Sequence, residues 1–242
     1  MEKFKVTYIG HSGFSVETPE CLMLFDYYYG ALPEQVEKPV YVFVSHNHGD
    51  HFSKEIFRWG ERFPGTRYIL SDDTVITATD RLRYGITEDT TARITRVSWG
   101  ESHTMECLSF ETLRSTDQGV AFLIRTGGRT VYHAGDLHWW LWGDEDTPED
   151  EEHMTALFKK DTAMLTGRHI DVAFLPLDPR QTEEQYPLGF DWYMTHAEID
   201  TAFPMHFGQR YSIIKKFKAL PLTAEYRDRI MDIEREGQEY EV

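Results

Sequence analysis

Four side chains able to bind a metal fall within six residues of this sequence, His46-Asn47-His48-Gly49-Asp50-His51. Imidazole nitrogen and carboxylate oxygen are suitable ligands for zinc and similar divalent ions. In an extended segment residues two apart project to one side, so His46, His48 and Asp50 can converge while His51 points elsewhere. One short loop could then serve two neighbouring ions, with Gly49 supplying the freedom to turn. A surface loop that happens to be rich in histidine is the competing reading. Four ligand-type residues directly after the apolar run Val40–Val44 argue against it.

Such a motif needs a rigid support. Val40–Val44 has the continuous apolar pattern of a strand buried on both faces, and it delivers the motif at its end. Before it, residues 4–9, 14–17 and 22–25 are short β-like runs separated by Gly, Pro and Glu, with residues 1–7 reading as the entry to the first. After it a helix is expected, capped by Ser53 and running through Ile56 and Phe57 to Gly60. Strands are then expected at 67–70, 94–99, 105–113, 120–125 and 130–133, the last two joined by a Gly127-Gly128 turn. Thr147 caps a second helix, with Pro148 at its first position and Asp150 completing a capping box. Met154, Leu157, Phe158, Met164 and Leu165 give it one apolar stripe that ends before Gly167. A buried strand at 172–175 follows, then helices at 192–203, 212–219 and 224–235, with Pro204-Met205-His206 as a short strand or loop. Strands followed by helix recur in each half without a low-complexity linker, although no sequence repeat is strong enough to prove a duplication. The expectation is an α/β fold of two sheets packed face to face with helices outside, as a single domain over residues 1–242.

Composition narrows the function. Of 242 residues, 40% are hydrophobic and 14% aromatic, which suits a packed core. No run of about 18 apolar residues predicts a spanning helix, and the alternating N-terminus lacks the apolar centre of a secretory signal. Two cysteines, Cys21 and Cys107, are too few for a secreted disulfide framework, so buried reduced thiols and a cytoplasmic location are expected. The net charge of -16 repels phosphate backbones and anionic membranes, which argues against nucleic-acid and membrane partners. The acidic cluster from Asp144 to Glu152 reads as a solvated loop leading into a helix. A small-molecule substrate is expected. Self-association into a homo-oligomer is compatible with this composition, but no interface is marked.

The His46-x-His48-x-Asp50-His51 motif resembles that of the metallo-β-lactamase superfamily, and supporting similarities run through nearly the whole chain. Tyr132-His133-Ala134-Gly135-Asp136 is similar to the strand and turn presenting the family's bridging aspartate, and Pro204-Met205-His206 to the late motif bearing a further histidine. Gly10-His11-Ser12-Gly13-Phe14 and Phe25-Asp26 resemble the early strands of a small cytosolic branch that includes L-ascorbate-6-phosphate lactonase-like proteins. The resemblance implies a four-layer αββα sandwich with the site at the sheet edge between the halves. It implies two divalent ions, zinc first and manganese or iron as alternatives. His46 and His48 would serve the first, Asp50, His51 and His206 the second, and Asp136 both, with a hydroxide between the ions as nucleophile. One departure stands out: the family's further first-site histidine is absent, and Arg114-Ser115-Thr116-Asp117-Gln118-Gly119 occupies that region. Asp117 could replace it as a ligand, Ser115 could sit beside a water, or Asp117 could simply hold the turn before Gly119. A site with one ion is therefore an alternative.

Other residues carry two readings each. His11 could orient a ligand or sit near the metals, and it joins Asp50 as a catalytic candidate; the rival is a structural histidine. Asp26 would support the histidine loop from behind. His133, by alternation from Asp136, points away from that carboxylate and is expected to be packed and hydrogen-bonded. His138, Trp139, Trp140 and Trp142 could wall a pocket or simply pack, and Tyr27, Tyr28 and Tyr29 likewise. Arg180 could take a substrate carboxylate or phosphate, or form a surface ion pair. His103, His153, His169 and His196 have no ligand-like spacing. The leading expectation is hydrolysis of a small ester, lactone or phosphoester, with Asp50 or a nearby histidine handling the leaving-group proton. A mononuclear iron oxidoreductase and a non-catalytic binding protein on a degenerate site are the alternatives.

Overall fold

The computed structural model describes residues 3–242. The first six strands are β1 (Lys5–Gly10), β2 (Gly13–Glu17), β3 (Leu22–Phe25), β4 (Val40–Val44), β5 (Arg67–Ser71) and β6 (Ile94–Val97). The next six are β7 (Ser102–Thr104), β8 (Ser109–Arg114), β9 (Val120–Thr126), β10 (Arg129–His133), β11 (His169–Pro176) and β12 (Glu198–Met205), and β13 (Gln238–Glu241) closes the chain. The helices are α1 (Ala78–Tyr84), α2 (Glu88–Ala92), α3 (Pro148–Thr162), α4 (Leu188–His196) and α5 (Ser212–Lys218). One sheet has the order β13-β1-β2-β3-β4-β5-β6 and the other β12-β11-β10-β9-β8-β7.

Alternation along the strands builds the layers. Met23, Phe25, Tyr41 and Phe43 face the second sheet, where Phe14 meets Phe174 at 4.4 Å and Phe43 meets Phe122 at 5.1 Å between ring centroids. Leu22, Leu24, Val40, Val42 and Val44 face outward into a second cluster with Ile56, Phe57 and Phe63. Both faces of β4 are thus apolar because both are covered. The result is the expected four-layer αββα sandwich. The same succession also recurs in each sheet. β1, β2 and β3 are antiparallel and β4 and β5 continue parallel, as β8, β9 and β10 are antiparallel and β11 and β12 continue parallel. The strands of matching direction therefore end at one edge, where His11, Asp26, His46, Asp117, Asp136, Asp178 and His206 follow β1, β3, β4, β8, β10, β11 and β12.

Several sequence expectations need correction. The segment 192–203 is not one helix: α4 ends at His196 and β12 begins at Glu198, pairing parallel with β11. Residues 224–235 hold only short 3-10 turns, Pro221–Glu225 and Arg227–Arg229. The helix after the metal motif is a 3-10 segment, Lys54–Glu61, and the Ser53 side chain makes no cap bond. The strand expected at 105–113 begins at Ser109 and follows the unforeseen β7, while α1, α2 and β13 were also not anticipated. Of the entry strand expected at 1–7, Met1 and Glu2 lie outside the described residues. The Thr147–Asp150 capping box is present, and the Gly127-Gly128 turn, with both residues at positive φ, joins β9 to β10. Among the described residues no helix is long and apolar enough to cross a membrane.

Two backbone bonds tie the sheets together at the ligand edge: the Val120 N–H donates to the Ser45 carbonyl at 2.9 Å and the His206 N–H to the His11 carbonyl at 3.3 Å. The first requires glycine beside it. Gly119 has φ +66°, and a Cβ there would lie 1.9 Å from the Ser45 oxygen. Gly135, at φ +52°, is confined in the same way, since a Cβ there would lie 2.6 Å from the Ser45 Cβ. Gly119→Ala is expected to lower unfolding free energy by about 2–5 kcal/mol, from left-handed strain plus overpacking. Gly128→Ala, at positive φ but with open space around it, should cost only about 1–2 kcal/mol. Urea unfolding midpoints of the two variants check this, and equal midpoints would refute the close approach.

Candidate metal centre

The ligand edge gathers eight donor residues into two groups. In one, His46, His48, Asp117 and Asp136 bring ligand atoms within 4.8 Å of one another; in the other, His11, Asp50, His51 and His206 do the same. Simple alternation through the motif therefore does not hold, because the chain turns at Gly49 and sends Asp50 to the second group rather than beside His46 and His48. Asp117, which follows β8, stands with its Oδ2 3.6 Å from His48 Nδ1. Ser115 is occupied in that turn, where its hydroxyl accepts the Asp117 N–H at 3.1 Å. His11 Nε2 lies 3.3 Å from Asp50 Oδ2.

Asp136 sits between the groups. Its Oδ2 is 3.5 Å from His46 Nε2, and its Oδ1 is 3.3 Å from His51 Nε2 and 3.4 Å from His206 Nε2. These atoms are near but not aligned as hydrogen bonds: His46 Nε2, His51 Nε2, His11 Nε2 and Asp136 Oδ1 are buried with no hydrogen-bond partner. Buried polar atoms left unpaired are costly. Imidazole and carboxylate atoms that converge without bonding each other fit a divalent cation, which would satisfy them together.

The remaining ring nitrogens are held from behind. His51 Nδ1 lies 2.8 Å from Asp26 Oδ2, and Ser45 donates its N–H at 2.7 Å and its hydroxyl at 2.6 Å to the same carboxylate. The Ser45 hydroxyl also contacts His46 Nδ1 at 2.9 Å. His206 Nδ1 meets Asp178 Oδ2 at 3.0 Å. Such contacts fix ring orientation and leave the opposite nitrogen facing the centre. Among the described residues three that are not glycine adopt positive φ, and all belong here: His11 at 55°, Asp26 at 40° and His206 at 64°. Each costs about 1–3 kcal/mol of local strain, which the surrounding bonds must hold in place.

Electrostatics divide the histidines. Burial, reinforced by His51, pushes His46 down to about 4. Burial would also lower His51, but Asp136, Asp26 and Asp50 outweigh it and raise that residue to about 9. Burial opposes ionisation of Asp136, yet His51, His206 and His46 hold its carboxyl well below the usual range. The His11 ring, with Nε2 3.3 Å from its Oδ2, is the chief cause that holds Asp50 below the usual carboxylate range. Asp117 is raised, by burial and then by Asp136.

A cleft of about 330 Å³ opens over the centre, bounded by His48, Asp50, Asp117, Asp136 and His206 below, with Trp140, Trp142, Met154 and Arg180 around it. The tryptophan cluster is divided: Trp140 and Trp142 line the cleft, while Trp139 packs on Phe158. His138 is buried against Gln181, 2.8 Å away. His133 is packed as expected, stacked on Phe25, with Nε2 toward the Ser12 carbonyl at 3.0 Å and Nδ1 accepting the Gly135 N–H. The three tyrosines do not line the cleft. His169 lies beside Asp171 and Asp200 at the opposite strand ends, where Asp171 is already bonded by Arg129. Sequence reasoning passed over Ser45, and it marked the loop Asp178-Pro179-Arg180 for Arg180 without a role for Asp178. The only signal for either was its place at the C-terminal end of a buried strand.

A family model described as a β-lactamase superfamily domain matches residues 5–157. A UPF0173 metal-dependent hydrolase from Alkaliphilus metalliredigens is 27% identical over 227 residues, covering 84% of this chain and 85% of the relative. A protein of the same name from Desulforamulus reducens is 27% identical over 159 residues, 58% of this chain, and the match spans 64% of that relative's length. Among solved structures, the metallo-β-lactamase fold protein YhfI from Bacillus subtilis superposes with a TM-score of 0.62 over 100% of both chains, at 14% identity, a likeness of fold. With the family match covering more than half of its length and the fold in agreement, the chain belongs to the metallo-β-lactamase superfamily.

Proposed function

We propose that the protein is a metal-dependent hydrolase that turns an activated water on a small ester, lactone or phosphoester. Relatives named metal-dependent hydrolases support the general activity, and the resemblance of its early strands to L-ascorbate-6-phosphate lactonase-like proteins favours the ester or lactone. One observation carries the reading: Asp136 stands unbonded and buried between two donor groups, its oxygens 3.3–3.5 Å from three imidazole nitrogens. A carboxylate so placed would be shared by two ions if both groups held one. His46, His48 and Asp117 would complete one site and Asp50, His51 and His206 the other, with zinc the first candidate for such nitrogen and oxygen donors and manganese or iron the alternatives. When bound, such ions lower the pKa of the attacking water and neutralise charge on the attacked group.

The chain's residues supply the rest. Trp140 donates its indole N–H to the Asp136 carbonyl at 3.0 Å and walls one side of the cleft, limiting water there. Asp50 lines the same cleft and is kept ionised by His11. From that position Asp50 would accept the proton of the attacking water as the water oxygen bonds to the carbonyl carbon or phosphorus. Asp50 then passes that proton to the departing oxygen as the scissile bond breaks. His11 is the positioning residue for Asp50.

Protein purified without chelator or nickel should contain close to two divalent ions per chain by elemental mass spectrometry, and Asp117→Ala close to one. One iron per chain with oxygen consumption would replace the hydrolase with an oxidoreductase. Less than about a tenth of an ion after reconstitution would remove the enzyme reading altogether. A second expectation concerns the support behind the ligands. Asp26→Ala should weaken metal affinity by about 10–100-fold in competition with a chromophoric chelator, with far-UV dichroism confirming that the variant is folded. Unchanged affinity would mean that Asp26 merely fills space.

A further inference from the structure

Arg180 is the one Lys or Arg side chain, among the described residues, that lines the cleft over the centre, in a chain of net charge -16 whose cleft floor carries three carboxylates. It is not a loose surface cation. Its Nε contacts both Asp178 oxygens, at 3.0 and 2.9 Å, and its Nη2 contacts Oδ2, while its own backbone N–H donates to Oδ1 at 2.8 Å. The guanidinium also lies 5.6 Å from the Trp142 ring, which stacks on Trp140 at 5.7 Å and 7°. Trp140 in turn lies 5.5 Å from the His206 ring, and His206 is bonded to Asp178. The guanidinium is therefore fixed by a closed circuit of side chains that begins and ends at a candidate metal ligand.

This circuit leaves the end of the fork unused. Of the five N–H donors of a guanidinium, one on Nε and one on Nη2 are directed at Asp178, and Nη1 has no partner among the described residues. The remaining edge, between Nη1 and Nη2, offers a second pair of parallel N–H donors to carboxylate or phosphate oxygens. A preorganised fork adds affinity because little side-chain entropy is lost when it is engaged.

We infer that Arg180 is a specificity-determining residue: the substrate carries, apart from its scissile bond, a second anionic group of carboxylate or phosphate type that docks on the outer edge of the Arg180 guanidinium, with its body against Trp142. The inference rests on the hydrolase reading and names the substrate class within it. Asp178 then serves both ends of the substrate, holding His206 beneath the scissile group and Arg180 beneath the anion.

The test compares phenyl acetate with 4-acetoxybenzoate and 4-acetoxyphenylphosphonate, esters that share a scissile bond and differ in the distal group, on the metal-loaded protein. At least one anionic ester should exceed the neutral one in kcat/KM by about tenfold or more. That ratio should collapse toward one in Arg180→Met and recover in part in Arg180→Lys. It should persist in Arg210→Met, whose side chain lies in the neighbouring groove rather than the cleft. The ratio within each variant cancels any general loss caused by loosening Asp178, and the better of the two anions identifies carboxylate or phosphate as the preferred group. Equal rates for charged and neutral esters in the unmodified protein would overturn the inference and leave the hydrolase reading standing. If none of the esters is cleaved, the hydrolase reading is what fails, and the anion site is read by calorimetry with 4-hydroxybenzoate and 4-hydroxyphenylphosphonate. Binding about tenfold weaker in Arg180→Met would support it, and equal or undetectable binding in both proteins would overturn it.

Discussion

The whole site depends on keeping the Asp136 carboxylate ionised at the floor of a cleft where it is almost wholly buried. Transferring such a charge out of water costs several kcal/mol unless opposite charge and hydrogen bonds replace the solvent. Here the replacement comes from three imidazoles on two separate segments: His46 and His51 from the loop after β4, and His206 after β12. None of these can approach unless both sheets end at the same edge. The cross-sheet bonds at Ser45 and His11, and the absence of a side chain at Gly119, are the local conditions of that meeting. The cluster of like imidazoles around one carboxylate is poorly balanced by the polypeptide alone, as the unpaired nitrogens record. A cation is the species that balances it.

How far this was legible in the sequence follows from where each interaction lies along the chain. The histidine motif was readable because four ligands are contiguous and the apolar strand before them is buried on both faces. Asp136 and His206 carry no such local mark and could be reached only through resemblance to a family. Asp117 was left between ligand and turn residue, and its place beside His48 required the fold. The division of the motif was misread by alternation because the backbone turns at Gly49, and strand periodicity does not survive a turn. Between 188 and 205 the residues are largely apolar, and an apolar run of that length does not itself separate helix from strand. The boundary between α4 and β12 is set by pairing with β11, a contact remote in sequence. Ser45, Asp26 and Asp178 act through ring nitrogens that tertiary structure alone brings to them.

Strain is distributed in the same pattern. Positive φ at His11, Asp26 and His206 places each side chain at a sharp exit from its strand, so that the chain leaves the sheet while the functional group stays at the edge. Asp26 illustrates why such a conformation persists: its carboxylate engages Ser45 through both backbone and hydroxyl and His51 through Nδ1, three contacts that lock one unfavourable dihedral. Because Ser45 also touches His46, a single buried carboxylate orients one imidazole of each donor group.

The two groups differ in how firmly the fold holds them, and this bears on their chemistry. His51 and His206 are buried, and each is fixed by a carboxylate behind it, Asp26 and Asp178. In the other group only His46 is held from behind, by the Ser45 hydroxyl; the His48 and Asp117 side chains are 41% and 40% exposed, and among the described residues each is the other's only partner of ion-pair type. Exposed ligands retain access to water and exchange partners more readily than buried, hydrogen-bonded ones. An ion bound by His46, His48 and Asp117 would therefore face the cleft through its most solvent-accessible donors, on the side where substrate must enter. The opposite group is backed by Asp178, which also carries Arg180. The Asp117 carboxylate thus falls on the open side of the centre, where its charge is felt most directly by an incoming molecule.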